Sequence, residues 1–298
     1  MRVFVTGATG FIGSVIVQDL IKAGHQVLGL TRSDAGAKAL AAAGAEVHRG
    51  DLEDLDSLKK GAAAAAGVIH TAFNHDFSKY VANCEADRQV IEAIGSVLTG
   101  SDRHLIITSG TGMANTVPDR PALEKNIVAS SSLMPRSASE EAAASVASRG
   151  VSVSVVRLPQ VHNEFKQGLV TYAIQLAREK GVSAYVGNGL NRWPAAHVAD
   201  TAHLYRLALE KHAAGACYHA VSEEGIPVRD IAEVIGRGLK VPVVSLSPDE
   251  AAAHFGWLGM FVGRDVPASG TQTREVLDWN PTGPGLIADL GRMNYFES

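Results

Sequence analysis

Residues 3–24 read VFVTGATGFIGSVIVQDLIKAG, and the order of residue types in this stretch decides the fold. Val3, Phe4 and Val5 form a short apolar run that predicts a buried strand. Gly7, Gly10 and Gly13 follow it, and Ile12, Val15, Ile16 and Leu20 then recur at the spacing of one helix face. Gly24 stands where such a helix would take its C-terminal cap. A strand that turns through glycines into a helix suits a dinucleotide: the chain turns tightly, bare backbone N–H groups meet the pyrophosphate, and the helix packs closely on its strand. On this reading the loop GATGFIG sets Gly7, Thr9, Gly10, Phe11, Ile12 and Gly13 against a cofactor.

From this unit to residue 110, short apolar runs alternate with helical patterns. QVLGL (26–30), AEVHRG (45–50), VIHTA (68–72) and HLIITSG (104–110) are separated by helices over 34–43, 52–66 and 79–98. Strands that are apolar at nearly every position, divided by amphipathic helices, belong to a parallel sheet covered on both faces. The predicted fold class is therefore α/β: a Rossmann doubly wound parallel sheet with a smaller α/β C-terminal substrate-binding domain. A helix over 137–148 and the strand VSVSVVRL (151–158) extend the pattern, and CYHAV (217–221) is expected to complete the sheet after an excursion. The nucleotide-binding domain is expected to span 1–160 plus about 197–222, and the substrate-binding domain about 161–196 and 223–298. The second part is expected to hold helices over 170–180 and 228–239, strands SAYVG (183–187) and PVVSL (242–246), and rigid turns at PTGPG (281–285). The Ala-rich runs near 35–45 and 62–66 are expected on surface helices.

With 298 residues, 46% hydrophobic and 19% charged, the chain can bury a sizeable core, which excludes a disordered protein. The formal net charge of -4, with no cluster of cations, argues against nucleic acid or an anionic membrane as partner. Cys84 and Cys217 lie far apart with no ligand set at metal-site spacing around them, so both are expected as buried thiols and no metal is expected. Met1 leads straight into the first strand and no apolar run approaches the ~20 residues of a membrane span, which places the expectation at a cytoplasmic monomer or homodimer.

The end of the second strand selects the cofactor. NAD enzymes place an acidic residue there to hold the ribose 2′-hydroxyl, whereas this chain has Thr31 followed by Arg32 and Ser33. A guanidinium and a hydroxyl suit the extra phosphate of NADP(H), so that cofactor is expected.

TGATGFIG (6–13), RGDL (49–52), HTA (70–72), TSG (108–110) and HVAD (197–200) together resemble the extended short-chain dehydrogenase/reductases, the NAD-dependent epimerase/dehydratase family, along nearly the whole chain. The resemblance implies that Asp51 and Leu52 flank the adenine, that Thr71, Ala72 and Phe73 touch the cofactor, and that Ser109 is the catalytic serine. It also implies an active-site asparagine, for which Asn83 and Asp87 are both placed. The family's Tyr-x-x-x-Lys pair is missing. Within MPRSASEEAA (134–143) the alignment puts Arg136 at the tyrosine position and Glu140 at the lysine position, which marks an atypical member.

An arginine has a pKa above ~12 and cannot serve as the acid, but it can stabilise negative charge on a carbonyl oxygen beside Ser109. Arg136 and Glu140 could equally form an i to i+4 surface salt bridge. The proton would come from water or from His75 or His162, either of which could also be a satisfied structural histidine. The reading reached is an NADPH-dependent carbonyl or ketone reductase acting on a small-molecule carbonyl substrate; a nucleotide-sugar epimerase or dehydratase and a non-catalytic NADP-binding redox sensor are the alternatives. The apolar residues Met113, Leu133, Met134 and Trp193 are expected among the pocket walls. Arg32→Ala should weaken NADPH binding by roughly 1.5–3 kcal/mol and leave NADH nearly unaffected, as measured by calorimetric titration.

Overall fold

The computed structural model describes residues 1–114 and 120–296. The chain opens with β1 (Arg2–Thr6), α1 (Phe11–Lys22), β2 (Gln26–Thr31), α2 (Asp34–Ala42), β3 (Glu46–Arg49), α3 (Leu55–Ala63), β4 (Gly67–His70), α4 (Tyr80–Ser96), β5 (His104–Gly110), α5 (Ala138–Ser148) and β6 (Ser152–Leu158). After these come β7 (Gln160–His162), α6 (Leu169–Lys180), β8 (Ser183–Val186), β9 (Arg192–His197), α7 (Val198–Lys211) and β10 (Cys217–His219). The chain ends with β11 (Glu223–Pro227), α8 (Val228–Leu239), β12 (Val243–Leu246), α9 (Pro248–Phe255), α10 (Gly259–Val262), α11 (Thr271–Leu277) and α12 (Leu286–Arg292).

Seven strands form one parallel sheet in the order β10-β6-β5-β4-β1-β2-β3, the doubly wound Rossmann arrangement expected from the sequence. Parallel neighbours need crossovers, and the helices that supply them cover both faces. Along β1 the period of two sends Val3 and Val5 into a core with Ile16 and Leu20 of α1 and Tyr205 and Leu209 of α7. Phe4 points the other way, among Leu58, Ile91, Ile94 and Val146 of α3, α4 and α5. The run at 62–66 lies on the surface with one face inward: Ala63, Ala64 and Ala66 are exposed, while Ala62 and Ala65 are buried in this second core.

A third core lies among α6, α8, α9 and α12, with the sheet β11-β9-β7 and the parallel pair β12-β8. Trp193 is buried here and faces a small cavity inside this third core, lined also by Val170, Ala177 and Ile231, while Leu133 is largely exposed; amino-acid type alone does not say which side of a wall a residue faces. Of the thiols, Cys84 is buried, whereas Cys217 at the start of β10 is half-buried. The final turns are tied to α7 by Asp200 of HVAD. Its carboxylate accepts from the backbone N–H of Thr282 at 3.0 Å and of Gly283 at 2.8 Å, and its carbonyl accepts from Trp279 Nε1 at 3.0 Å. Among the described residues no helix is long and apolar enough to cross a membrane.

Candidate active site

The sheet order places β4 and β2 on either side of β1, so the winding reverses there and a crevice opens beyond the carboxyl ends of β1 and β4. Gly7 adopts φ +68°, and a Cβ there would stand 2.8 Å from Ala72 N and from Thr71 Oγ1. A Cβ on Gly13 would stand 2.0 Å from Gly7 O, so these two glycines let β1, α1 and the segment after β4 close together. Gly10 differs. It is exposed and a Cβ would meet Gly7 O alone, at 3.1 Å, which leaves open the side where a pyrophosphate approaches. Gly10 is the N-cap of α1 and supplies no side-chain cap, so the first N–H groups of the helix are available to an anion, with Thr9 exposed and Phe11 and Ile12 half-buried beside them. These residues fit a dinucleotide.

Thr31 is buried at the end of β2, and Arg32 and Ser33 are exposed beyond it. Ser33 caps α2, its Oγ accepting from Gly36 N at 3.0 Å, which leaves its hydroxyl hydrogen free to donate. Among the described residues Arg32 has no hydrogen-bond or ion-pair partner, whereas Arg49 nearby is paired with Asp34. Asp51 Oδ1 accepts from the N–H of Glu53 at 2.8 Å and Asp54 at 3.3 Å, fixing the turn after β3, and Leu52 packs against the core.

On the other side of the crevice Thr71 Oγ1 donates to Thr6 O at 2.8 Å and Ala72 N to Thr6 Oγ1 at 3.3 Å. Below them lies a buried polar network. His70 Nδ1 stands 2.7 Å from Thr6 Oγ1, and its Nε2 stands 2.9 Å from Asp87 Oδ1. Asp87 Oδ2 accepts from Arg136 Nη1 at 2.6 Å and from Ser139 Oγ at 2.5 Å, and Arg136 Nη2 donates to Thr108 O at 3.0 Å. Thr108 donates its one hydroxyl hydrogen to His70 O, so Tyr205 must donate to Thr108 Oγ1, at 2.7 Å. Burial by itself would raise the Asp87 carboxyl, but the Arg136 charge and the bonds from His70 and Ser139 outweigh it and hold the group well below the usual carboxylate range.

Several sequence assignments change in this light. Glu140 is not paired with Arg136. It receives both Nε and Nη2 of Arg157, at 2.9 and 2.8 Å, in a buried fork, because α5 turns position 140 toward β6 while Arg136, just before α5, points to α4. Nor do Arg136 and Glu140 form a surface salt bridge. His162 lies fully buried on β7 with Nδ1 2.7 Å from Asp289 Oδ2, packed in the second part of the chain, which removes it as a proton source for the crevice. Of the two asparagine candidates, Asp87 occupies the network, and Asn83 instead donates to the carbonyls of Asn74 and Asp76.

The structure brings together Ser109, Arg136, Asp87 and Phe73, with His75 alongside. The Arg136 guanidinium lies 4.2 Å from the Phe73 ring centroid, and His75 makes edge contacts with Phe73 and Phe77. Ser109 is buried at the carboxyl end of β5, and among the described residues its Oγ has no hydrogen-bond partner. Sequence reasoning missed His70, Thr108, Ser139 and Tyr205. His70 had a signal: a histidine in the otherwise apolar strand VIHTA must find a buried polar partner. It also missed the aromatic contact across the crevice, where Phe77 stacks on Trp257 at 4.2 Å and 6°, flanked by Tyr172 and Phe261. Tyr80 at the start of α4 joins this group, its phenol pushed up to about 12 by burial beside Cys84.

A Rossmann sheet with a glycine cradle at the switch point and a serine at the end of β5 defines a nucleotide-dependent oxidoreductase or epimerase. The family described as NAD dependent epimerase/dehydratase matches residues 3–222, and the chain belongs to it. It is 50% identical to an uncharacterised protein of Schizosaccharomyces pombe over 99% of this chain and 100% of that one, and 45% identical to an uncharacterised protein of Saccharomyces cerevisiae over 99% of each. The dTDP-glucose 4,6-dehydratase of Streptomyces venezuelae, solved with NAD bound, is similar in fold, with a TM-score of 0.78 at 17% identity over 99% of this chain and 96% of that one.

Asp87→Asn should cost about 3–5 kcal/mol of stability at pH 7, because it strands the buried Arg136. A carboxylate depressed in the folded state contributes stability above its unfolded pKa of about 3.9, and that contribution is lost as pH falls toward the folded value. Urea midpoints for wild type and mutant should therefore converge as the pH is taken below about 4.

Proposed function

We propose that the protein is an NADP(H)-dependent oxidoreductase that reduces a small or medium carbonyl compound to the alcohol. The observation that carries this reading is the Ser109 hydroxyl. A buried hydroxyl without a partner costs about 1–3 kcal/mol, and a substrate oxygen at the end of β5 would satisfy it. NADPH, when bound along the β1 loop, supplies the hydride. Ser109 then donates a hydrogen bond to the carbonyl oxygen as negative charge grows there, and the positive Arg136, held by Asp87 and Thr108 O, adds to the favourable potential.

The exposed Arg32, which has no partner among the described residues, and the Ser33 hydroxyl support NADPH over NADH. At the tyrosine and lysine positions both Arg136 and Glu140 are engaged in ion pairs, which weighs against epimerase chemistry that relies on that pair. His75 is the accessible histidine beside Phe73 and is the residue proposed to deliver the proton.

Ser109→Ala should lower turnover about a hundredfold, with NADPH affinity close to wild type, because the lost bond forms in the transition state. Steady-state NADPH oxidation against a panel of aldehydes and ketones measures this; full turnover in the mutant would sink the assignment. The packing of His75 between rings, together with the Lys166 and Arg136 charges, lowers its pKa from the ordinary histidine value near 6.5. The proton-donating form therefore populates only below that value, so reduction should speed up as pH falls through the region under about 6.5 and this limb should vanish in His75→Ala. An identical pH profile in the mutant would assign the proton to water instead.

A further inference from the structure

The two backbone segments assigned to the diphosphate side of the cradle contribute no cation of their own. Residues 7–13 and 71–73 are all neutral, and a helix N-terminus supplies roughly half an elementary charge against the two negative charges of a dinucleotide diphosphate. A lysine from the other half of the chain stands opposite. Lys166 Nζ lies 5.8 Å from the ring centroid of Phe11, the first residue of α1, and its charge also reaches His75 after β4. It thus lies beside the first turn of α1, where the cofactor cradle begins.

The loop that presents Lys166 is built to hold it. Asn163 Oδ1 accepts from the N–H of Phe165 and of Lys166, both at 2.9 Å, and Asn163 N donates to Lys166 O at 2.9 Å. The buried Gln167 donates from Nε2 to Asn163 O at 3.0 Å and anchors the turn from below. The side chain itself is exposed. Among the described residues no carboxylate lies within ion-pair distance of it, its neighbour Glu164 included.

We infer that Lys166 is a cofactor-binding residue that closes over the diphosphate of the dinucleotide from the second part of the chain. The inference rests on the cofactor site read above and not on any carbonyl substrate. Because the diphosphate is common to NADPH and NADH, Lys166 acts on both alike, whereas Arg32 acts on the 2′-phosphate alone. Cofactor binding then draws the 163–168 loop onto α1 and joins the two parts of the chain.

Calorimetric titration of the full chain tests this with NADPH, NADH and adenosine 2′-monophosphate, which lacks the diphosphate. Lys166→Ala should weaken NADPH and NADH by the same factor, roughly tenfold, and leave adenosine 2′-monophosphate unchanged, while Lys166→Arg keeps most of the affinity. The melting temperature without ligand should move little, since the side chain is exposed and, among the described residues, makes no ion pair beyond its distant contact with the Phe11 ring. Unchanged affinities in Lys166→Ala, a loss confined to NADPH, or an equal loss for adenosine 2′-monophosphate would each overturn the inference while leaving the cofactor site intact. Wild type that binds neither dinucleotide would overturn both.

Discussion

Asp87 is a carboxylate with 2% of its side chain exposed, and an ion so placed is tolerated only when its lone pairs and charge are matched on the spot. The match comes from elements far apart in sequence: His70 at the end of β4, Arg136 and Ser139 at the start of α5, with α4 supplying the acid itself. Arg136 carries the constraint onward to the carbonyl of Thr108, and Thr108 to His70 and Tyr205 of α7. The carboxyl ends of β4 and β5, where the crevice opens, are thus held from beneath by one charge. Ser109, the next residue along β5, takes its position from the same fixation.

The start of α5 shows how a familiar spacing can be put to another use. Residues i and i+4 face the same side of a helix when both lie within it, yet Arg136 precedes α5 and Glu140 lies in its first turn. Arg136 reaches α4 and β5, whereas Glu140 meets Arg157 on β6, which in turn donates to the carbonyl of Asn126 and approaches His219 of β10. The two residues, four apart in sequence, therefore serve in two separate ion pairs. Each fixes α5 to the sheet from a different side, and truncating either partner would leave an uncompensated charge.

The crevice also has a roof. Phe77, in the turn between β4 and α4, stacks face to face on Trp257, with Tyr172 of α6 and Phe261 of α10 meeting their edges. Offset and edge contacts of this kind add about 0.5–1.5 kcal/mol per pair beyond the area buried. They tie the segment that follows Thr71, Ala72 and Phe73 to the second part of the chain. This side of the crevice is therefore lined by aromatic rings.

The sheet and its cofactor loop were legible in the sequence because they rest on local rules. The spacing of Gly7, Gly10 and Gly13 is a requirement of one turn, and the period of the apolar runs sets each strand and helix before any partner is known. Even β10, far along the chain, was visible as an apolar strand. The Arg136 and Glu140 partners, the burial of His162 against Asp289 and the core position of Trp193 were not legible, since each depends on which side chain another element brings within reach. Residue types and their periods determined by themselves that this chain folds as a nucleotide-binding α/β sheet. Only the tertiary structure decided which buried charges meet, because a charge removed from water takes whatever partner the packed elements place beside it, at any distance along the chain.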